Sequence, residues 1–279
     1  MALRCAVRRR SLLPIPLILA ALFAAFQYFG AEKAVNPETG RVARVGMSEE
    51  QEQALGLQSY EQVLADSEVV TAGPEYDLVV RVARRLVDGA GEAGRKFQWR
   101  VSLVRGEDAN AFCLPGGQIV VYTGILPYTQ NEDALAAVMG HEMAHAVARH
   151  GAQRMLRTNL AQTVMMGAQL SFTDMDPGQR QMVLAALGAG AQYGLILPFS
   201  RDHENEADAM GLLYMARAGY DPRAAIGFWE RMAGAGDGRQ PPEFASTHPA
   251  HETRVRRLEE LMPKALEVYR QQQAYAANR

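Results

Sequence analysis

The sequence predicts a mostly helical α+β domain with a small β-sheet, preceded by an N-terminal transmembrane anchor. Three observations carry this. An uncharged run, Ser11–Ala31, follows an arginine-rich start. Two stretches with strand patterning, 97–105 and 118–124, lie close together, and everything beyond Gly124 is patterned as helix. At 279 residues, 48% hydrophobic and 22% charged, the chain has enough apolar material for a real core. A net charge of −2 gives no basic excess for nucleic acid.

The expected organisation is a basic stretch and anchor over 1–31, a linker over 32–48, and the domain over 49–279. Arg4, Arg8, Arg9 and Arg10 precede the apolar run, the order of an export signal. The run is long enough to cross about 30 Å of hydrocarbon as a helix. Gln27–Gly30 make a poor cleavage site, so the segment is read as an uncleaved signal-anchor, arginines in the cytoplasm and domain outside it. Cys5 and Cys113 then lie on opposite sides and form no disulfide; Cys113 reads as a small buried residue.

Along the domain, Asn36-Pro37 and Thr39-Gly40 are turn signals. Ser48, with acids after it, caps a first helix. Pro74–Asp88 carries Val79, Val82, Ala83 and Leu86 at helical spacing, a second helix. "FQWRVSLVR" alternates as a half-buried strand, and "PGG" turns into a second strand, "QIVVYTG". The stretches 159–172 and 181–199 are uncharged, and the longer second one is read as a buried or membrane-surface helix rather than a further span.

The chemistry concentrates in "VMGHEMAHAVARHG". Three of six histidines lie in these fourteen residues. Thr129, Asn131, Glu132 and Asp133 start a helix that Gly151 is expected to stop. His141 and His145, four apart, share a face and reach one metal ion; Glu142 stands beside it as a general base. Val138, Ala144 and Ala148 around the pair argue for burial rather than an exposed helix face.

A catalytic zinc needs a third ligand. "SRDHENEADAMG" should open a helix near Ser200 that stops at Gly219. Glu204 and Asp208 share a face there, as a third ligand and as an acceptor for the outer N–H of a ligand histidine. His203 competes as the ligand. Glu206 falls on the other side and is assigned to solvent.

These two stretches together resemble the HtpX-like metallopeptidases, metallopeptidase family 48 of the gluzincins, and in particular the quality-control type of bacterial envelopes. "NAFCLPGGQIVVYTGIL", "GYDPRAAIGFWERM" and "STHPAHETRVRRL" add to the resemblance, which spans roughly residues 49–261. It implies a zincin-like fold, one zinc ion on His141, His145 and Glu204, and Glu142 as catalytic base. It further implies that the segment 117–121 (Gly117, Gln118, Ile119, Val120, Val121) is the edge strand on which an extended substrate pairs.

The resulting expectation is a membrane-anchored zinc endopeptidase acting on misfolded or unfolded envelope proteins, single-pass in a bacterial inner membrane with its domain in the periplasm. The alternative is a periplasmic chaperone or assembly factor using the same groove. Arg201, His203 and His150 are candidates for stabilising the oxyanion. His248, in the loop "STHPAHE", is a candidate regulatory ligand able to occupy the open metal position.

Overall fold

The computed structural model describes residues 14–192, 196–235, 242–248 and 252–278. The arginine-rich start and part of the 181–199 stretch lie outside them. The chain divides into two compact units.

The smaller unit holds 1–31 and 155–198. Its helices are α1 (Ile15–Gly30), most of α7 (His150–Ser171) and α8 (Pro177–Ala191). A Cβ at Gly167 would meet Ala20 Cβ at 2.4 Å, so the absence of a side chain lets α7 lie against α1. The Leu17 amide donates to Ser171 Oγ at 2.8 Å, capping that contact. No residue of α8 is buried, which removes the buried half of the expected buried or membrane-surface helix. Phe23, Phe26, Phe29, Met166 and Met182 are exposed in this unit. Among the described residues no helix is long and apolar enough to cross a membrane.

The larger unit, 32–154 with 199–279, holds the site. Residues 32–45 are not an open linker but a hairpin, β1 (Glu32–Val35) against β2 (Val42–Val45), with Gly40 at φ 70° in its turn. Next come α2 (Glu49–Ala65), β3 (Val69–Val70), α3 (Pro74–Gly89) and α4 (Gly91–Arg95). Ser48 caps α2 in a reciprocal capping box with Gln51.

Strands β4 (Arg100–Val104), β5 (Ala111–Leu114) and β6 (Gln118–Tyr122) join β3 in the order β3-β4-β6-β5. The β4–β6 pair is parallel and the others antiparallel. The helices α5 (Leu126–Thr129), α6 (Glu132–Val147), α9 (Leu197–Arg217), α10 (Ala224–Gly234), α11 (Glu243–Thr247) and α12 (Glu252–Ala277) follow.

This order corrects the edge-strand expectation. Gln118–Tyr122 is flanked on both sides, so its backbone has no free edge for a substrate. Ala111–Leu114 is the edge instead. Four residues with a cysteine and a leading alanine carry too little alternation to announce a strand; pairing to β6 forms it.

The core lies between sheet and helices. Leu103, Ile119 and Val121 from the sheet meet Val79, Val82 and Leu86 of α3 and Leu135 and Met139 of α6, all fully buried. Each contributes about 1.5–3 kcal/mol by leaving water. Buried on nearly every side, α6 is held rigidly at the centre of the unit.

Candidate active site

Asn131 caps α6 by accepting from the Ala134 amide at 2.8 Å. The helix ends at Val147, short of the expected stop at Gly151. Arg149 takes the left-handed conformation, φ 56°, and Gly151 lies inside the first turn of α7. The break is stabilised by the Arg149 side chain, which is buried, pairs with Glu52 and donates from Nη2 to the Met47 carbonyl at 2.7 Å.

Helix α9 crosses α6 at two glycines. A Cβ on Gly211 would stand 2.9 Å from the His141 amide nitrogen, and one on Gly140 would stand 3.2 Å from the Gly211 carbonyl oxygen. Bare backbone at both positions brings Glu204 and Asp208 of α9 up to the histidines of α6.

At the crossing, His141 Nε2 lies 3.0 Å from His145 Nε2 and 3.2 Å from Glu204 Oε2, and His145 Nε2 lies 3.4 Å from Glu204 Oε1. His248 joins them: its Nδ1 is 2.9 Å from Glu204 Oε2 and 3.2 Å from His141 Nε2. Ligands about 2.0–2.1 Å from a tetrahedral ion stand about 3.3 Å from one another. The separations above are close to that spacing, and one ligand atom from each of the four side chains lies within 4.8 Å of the others, so the group could hold one ion. Two neutral-capable imidazoles, a carboxylate and a third imidazole suit a divalent ion of the zinc type.

Each group is tuned by its surroundings. The Asp208 carboxylate accepts from His141 Nδ1 at 3.0 Å, which turns the Nε2 lone pair toward the shared point. Burial and Arg254 oppose charge on His141, but Asp208 and Glu204 outweigh them and push its pKa up to about 9. Burial holds His145 well below the usual imidazole range. Burial also works against ionised Glu204, yet hydrogen bonds from His141, His145 and His248 hold it far below the carboxylate range.

Glu142 is 3% exposed, and burial raises its pKa against the pull of His248 and His141. Its Oε1 accepts no hydrogen bond and stands 3.4 Å from His248 Nε2. A buried, basic carboxylate beside the ligand set is the arrangement a general base needs. Cys113, at the sheet edge, is half-buried and gives its backbone N–H to Glu142. A cleft of about 170 Å³ opens here, lined by Cys113, Pro115, Glu142, His145, His150 and His248.

Four residues depart from expectation. Glu206 does not face solvent: it is buried, 2.9 Å from His150 Nε2 and bonded to Asn36, Thr39 and Arg41 of the hairpin turn. Burial opposes its charge, but those donors hold its carboxyl far below the usual range. His203 is no ligand. It is buried behind the site, stacked on His150 at 3.9 Å, with Nε2 donating to Gln153 at 3.1 Å. His150 lines the cleft, but His145 and Glu206 engage both its ring nitrogens, so it has no N–H to offer an oxyanion; His203 does not line the cleft, and Arg201 is exposed.

Arg254 was missed by sequence reasoning. It is 5% exposed and lies over the Trp229 ring at 3.5 Å. Its Nη2 donates to Asp208 at 2.6 Å and its Nη1 to Glu204 at 3.2 Å. It thus neutralises two buried carboxylates. Its only signal was its place six residues after His248.

Comparison with known proteins agrees with this geometry. The model of peptidase family M48 matches residues 77–262. The mitochondrial metalloendopeptidase OMA1 of Schizosaccharomyces pombe is 38% identical over 218 residues, 77% of this chain and 62% of the relative. That of Saccharomyces cerevisiae is 30% identical over 279 residues, 91% of this chain and 76% of the relative. The beta-barrel assembly-enhancing protease of Yersinia pestis is 31% identical over 223 residues, 78% of this chain and 45% of the relative. The chain thus spans less than two thirds of the length of several curated relatives it matches.

These relatives overturn the placement in a bacterial inner membrane with a periplasmic domain. The first relatives matched, of yeasts, plant and animals, are named as mitochondrial proteins. With a family match over two thirds of its length and a complete histidine and carboxylate set at the α6–α9 crossing, the chain belongs to peptidase family M48.

Proposed function

We propose that the chain is a zinc-dependent endopeptidase that cuts extended segments of unfolded or misfolded proteins. The observation that carries this is the close spacing of His141, His145, Glu204 and His248 around one point, with the Glu142 carboxylate beside it. His141, His145 and Glu204 would hold a zinc ion, which would polarise the scissile carbonyl and make a water readily deprotonated. Glu142 takes the attacking water's proton and delivers it to the departing amine. Burial, by raising its basicity, suits it to both transfers.

The substrate reading rests on the free edge of Ala111–Leu114 at the cleft. An extended backbone adding there as a strand is recognised through main chain, which favours breadth over sequence specificity. His248 Nδ1 stands beside Glu204 and His141, where it would take the open position of a zinc ion held there, so His248 would have to withdraw to admit carbonyl and water. This supports a latent enzyme. The exposed Leu19, Leu22, Phe23, Phe26 and Phe29 of α1 support membrane attachment through that helix.

The test is degradation of casein by wild type, Glu142→Gln and His248→Ala, with the zinc content of each. The expected result is about one zinc in wild type and Glu142→Gln, cleavage lost in Glu142→Gln, and cleavage raised in His248→Ala. Undiminished cleavage by Glu142→Gln would overturn the assignment of the base. A His248→Ala protein no faster than wild type would overturn latency.

A further inference from the structure

Each ligand histidine needs a proton on its outer nitrogen so that a lone pair faces the metal. His141 has a carboxylate for this, Asp208. His145 has none: its Nδ1 faces Nδ1 of another imidazole, His150, at 2.8 Å. Two ring nitrogens at that distance share one proton, and something must decide which ring carries it.

The far side of His150 decides. Its Nε2 lies 2.9 Å from Glu206 Oε2. Glu206 is saturated with donors: Asn36 Nδ2 at 2.8 Å and Thr39 Oγ1 at 2.6 Å on Oε1, and Arg41 Nε at 2.8 Å on Oε2. A carboxylate so engaged is ionised and can only accept, so His150 donates from Nε2–H. Neutral His150 then offers a lone pair at Nδ1, and His145 must carry its proton at Nδ1. His145 Nε2 is left bare, directed at His141 Nε2 and Glu204.

The surroundings hold the chain in place. His203 stacks on one face of His150 with 10° between the rings. Arg41 Nη2 and His203 Nε2 both donate to Gln153 Oε1, at 3.0 and 3.1 Å. Asn36 Oδ1 accepts from the amides of Glu38 and Thr39, which stiffens the hairpin turn. In an unbroken helix, residues five apart stand about 140° from each other. The left-handed Arg149 is what turns His150 back onto His145.

We propose that Glu206 and His150 are positioning residues that set the tautomer and orientation of His145, and that the Asn36–Arg41 turn is thereby part of the metal-binding machinery. The inference rests on the reading of His145 as a metal ligand. Glu206→Gln is the informative variant. With Asn36 and Thr39 donating to its oxygen, the amide N–H₂ takes the place of Oε2, where it deprives Arg41 of its acceptor, faces His150 and reverses the chain, placing the His145 proton on Nε2.

The experiment uses the full chain. Long-range ¹H–¹⁵N NMR of the imidazoles in metal-free protein reads the tautomers, and competition with a chromophoric chelator reads zinc affinity. The expected result is a His145 proton on Nδ1 in wild type and on Nε2 in Glu206→Gln. Zinc should bind about 10–100-fold more weakly to Glu206→Gln and His150→Phe. A purely structural role would lower the melting temperature but leave the tautomer and the zinc dissociation constant unchanged, which would overturn the proposal. So would an Nε2–H tautomer of His145 in wild type, a result that needs no variant to fold. Wild type that binds no zinc would sink the peptidase reading; the tautomer measurement still decides the chain.

Discussion

Gly211→Ala tests whether the closeness of α6 and α9 makes the site. The added Cβ would sit 2.9 Å from the His141 amide nitrogen and 3.1 Å from His141 Cα and the Gly140 carbonyl carbon. Ordinary contact begins near 3.4 Å, so the helices must part by about half an ångström, and backbone atoms cannot swing aside. Overpacking of this kind costs about 1–3 kcal/mol. Alanine also favours helix over glycine by about 1 kcal/mol. Gly190→Ala in α8 isolates that gain, because a Cβ there meets nothing within 4 Å. The two variants should differ by the overpacking cost alone. At about 2–4 °C per kcal/mol, Gly211→Ala should melt about 2–12 °C below Gly190→Ala. Metal ligands tolerate displacements of about 0.2 Å, so Gly211→Ala should also bind zinc more weakly. Melting curves by circular dichroism and chelator competition give both readouts. Equal melting temperatures with wild-type zinc affinity would refute the reasoning.

Three further outcomes are expected. Arg149→Ala leaves Glu52 buried without its cation and puts alanine in a left-handed backbone; urea unfolding should show a loss of about 3–5 kcal/mol. Stripping zinc with a chelator removes ligand-linked stability: at one hundred times the dissociation constant this is about 2.7 kcal/mol, so melting should fall by about 5–10 °C. Glu206 and Asp208 are held below the carboxylate range against the burial that opposes their charge, so both stay ionised in the fold where the unfolded chain takes up protons. Their contribution is full above about pH 5, declines below about pH 4 and is lost only as pH falls through their lowered folded-state values, and metal-free Glu206→Gln should show a shallower acid decline in melting temperature than wild type.

Much of the centre was legible because it is local. Four-residue spacing puts His141 and His145, and Glu204 and Asp208, on shared helix faces, and Asn131 announces the start of α6. The residues around that centre arrive from distant parts of the chain. Asn36 and Glu206, 170 apart in sequence, meet through tertiary packing, which no helical period encodes. Glu206 reads as a solvent residue until the hairpin covers it. Arg149 looked like an ordinary helical position because its left-handed turn depends on Glu52 and the Met47 carbonyl. The sheet edge was misassigned for the same reason: the β-branched run 118–122 is the stronger strand, and stronger strands take the interior of a sheet. The placement in a bacterial membrane rested on a basic, apolar N-terminus, a pattern that does not distinguish one membrane system from another.

The most direct test of the central claim is anomalous diffraction at the zinc edge from crystals of the zinc-loaded protein. One peak is expected at the α6–α9 crossing, about 2.0–2.2 Å from His141 Nε2, His145 Nε2 and a Glu204 carboxylate oxygen, with Glu142 not coordinated. A peak elsewhere, or none at that crossing, would contradict the claim.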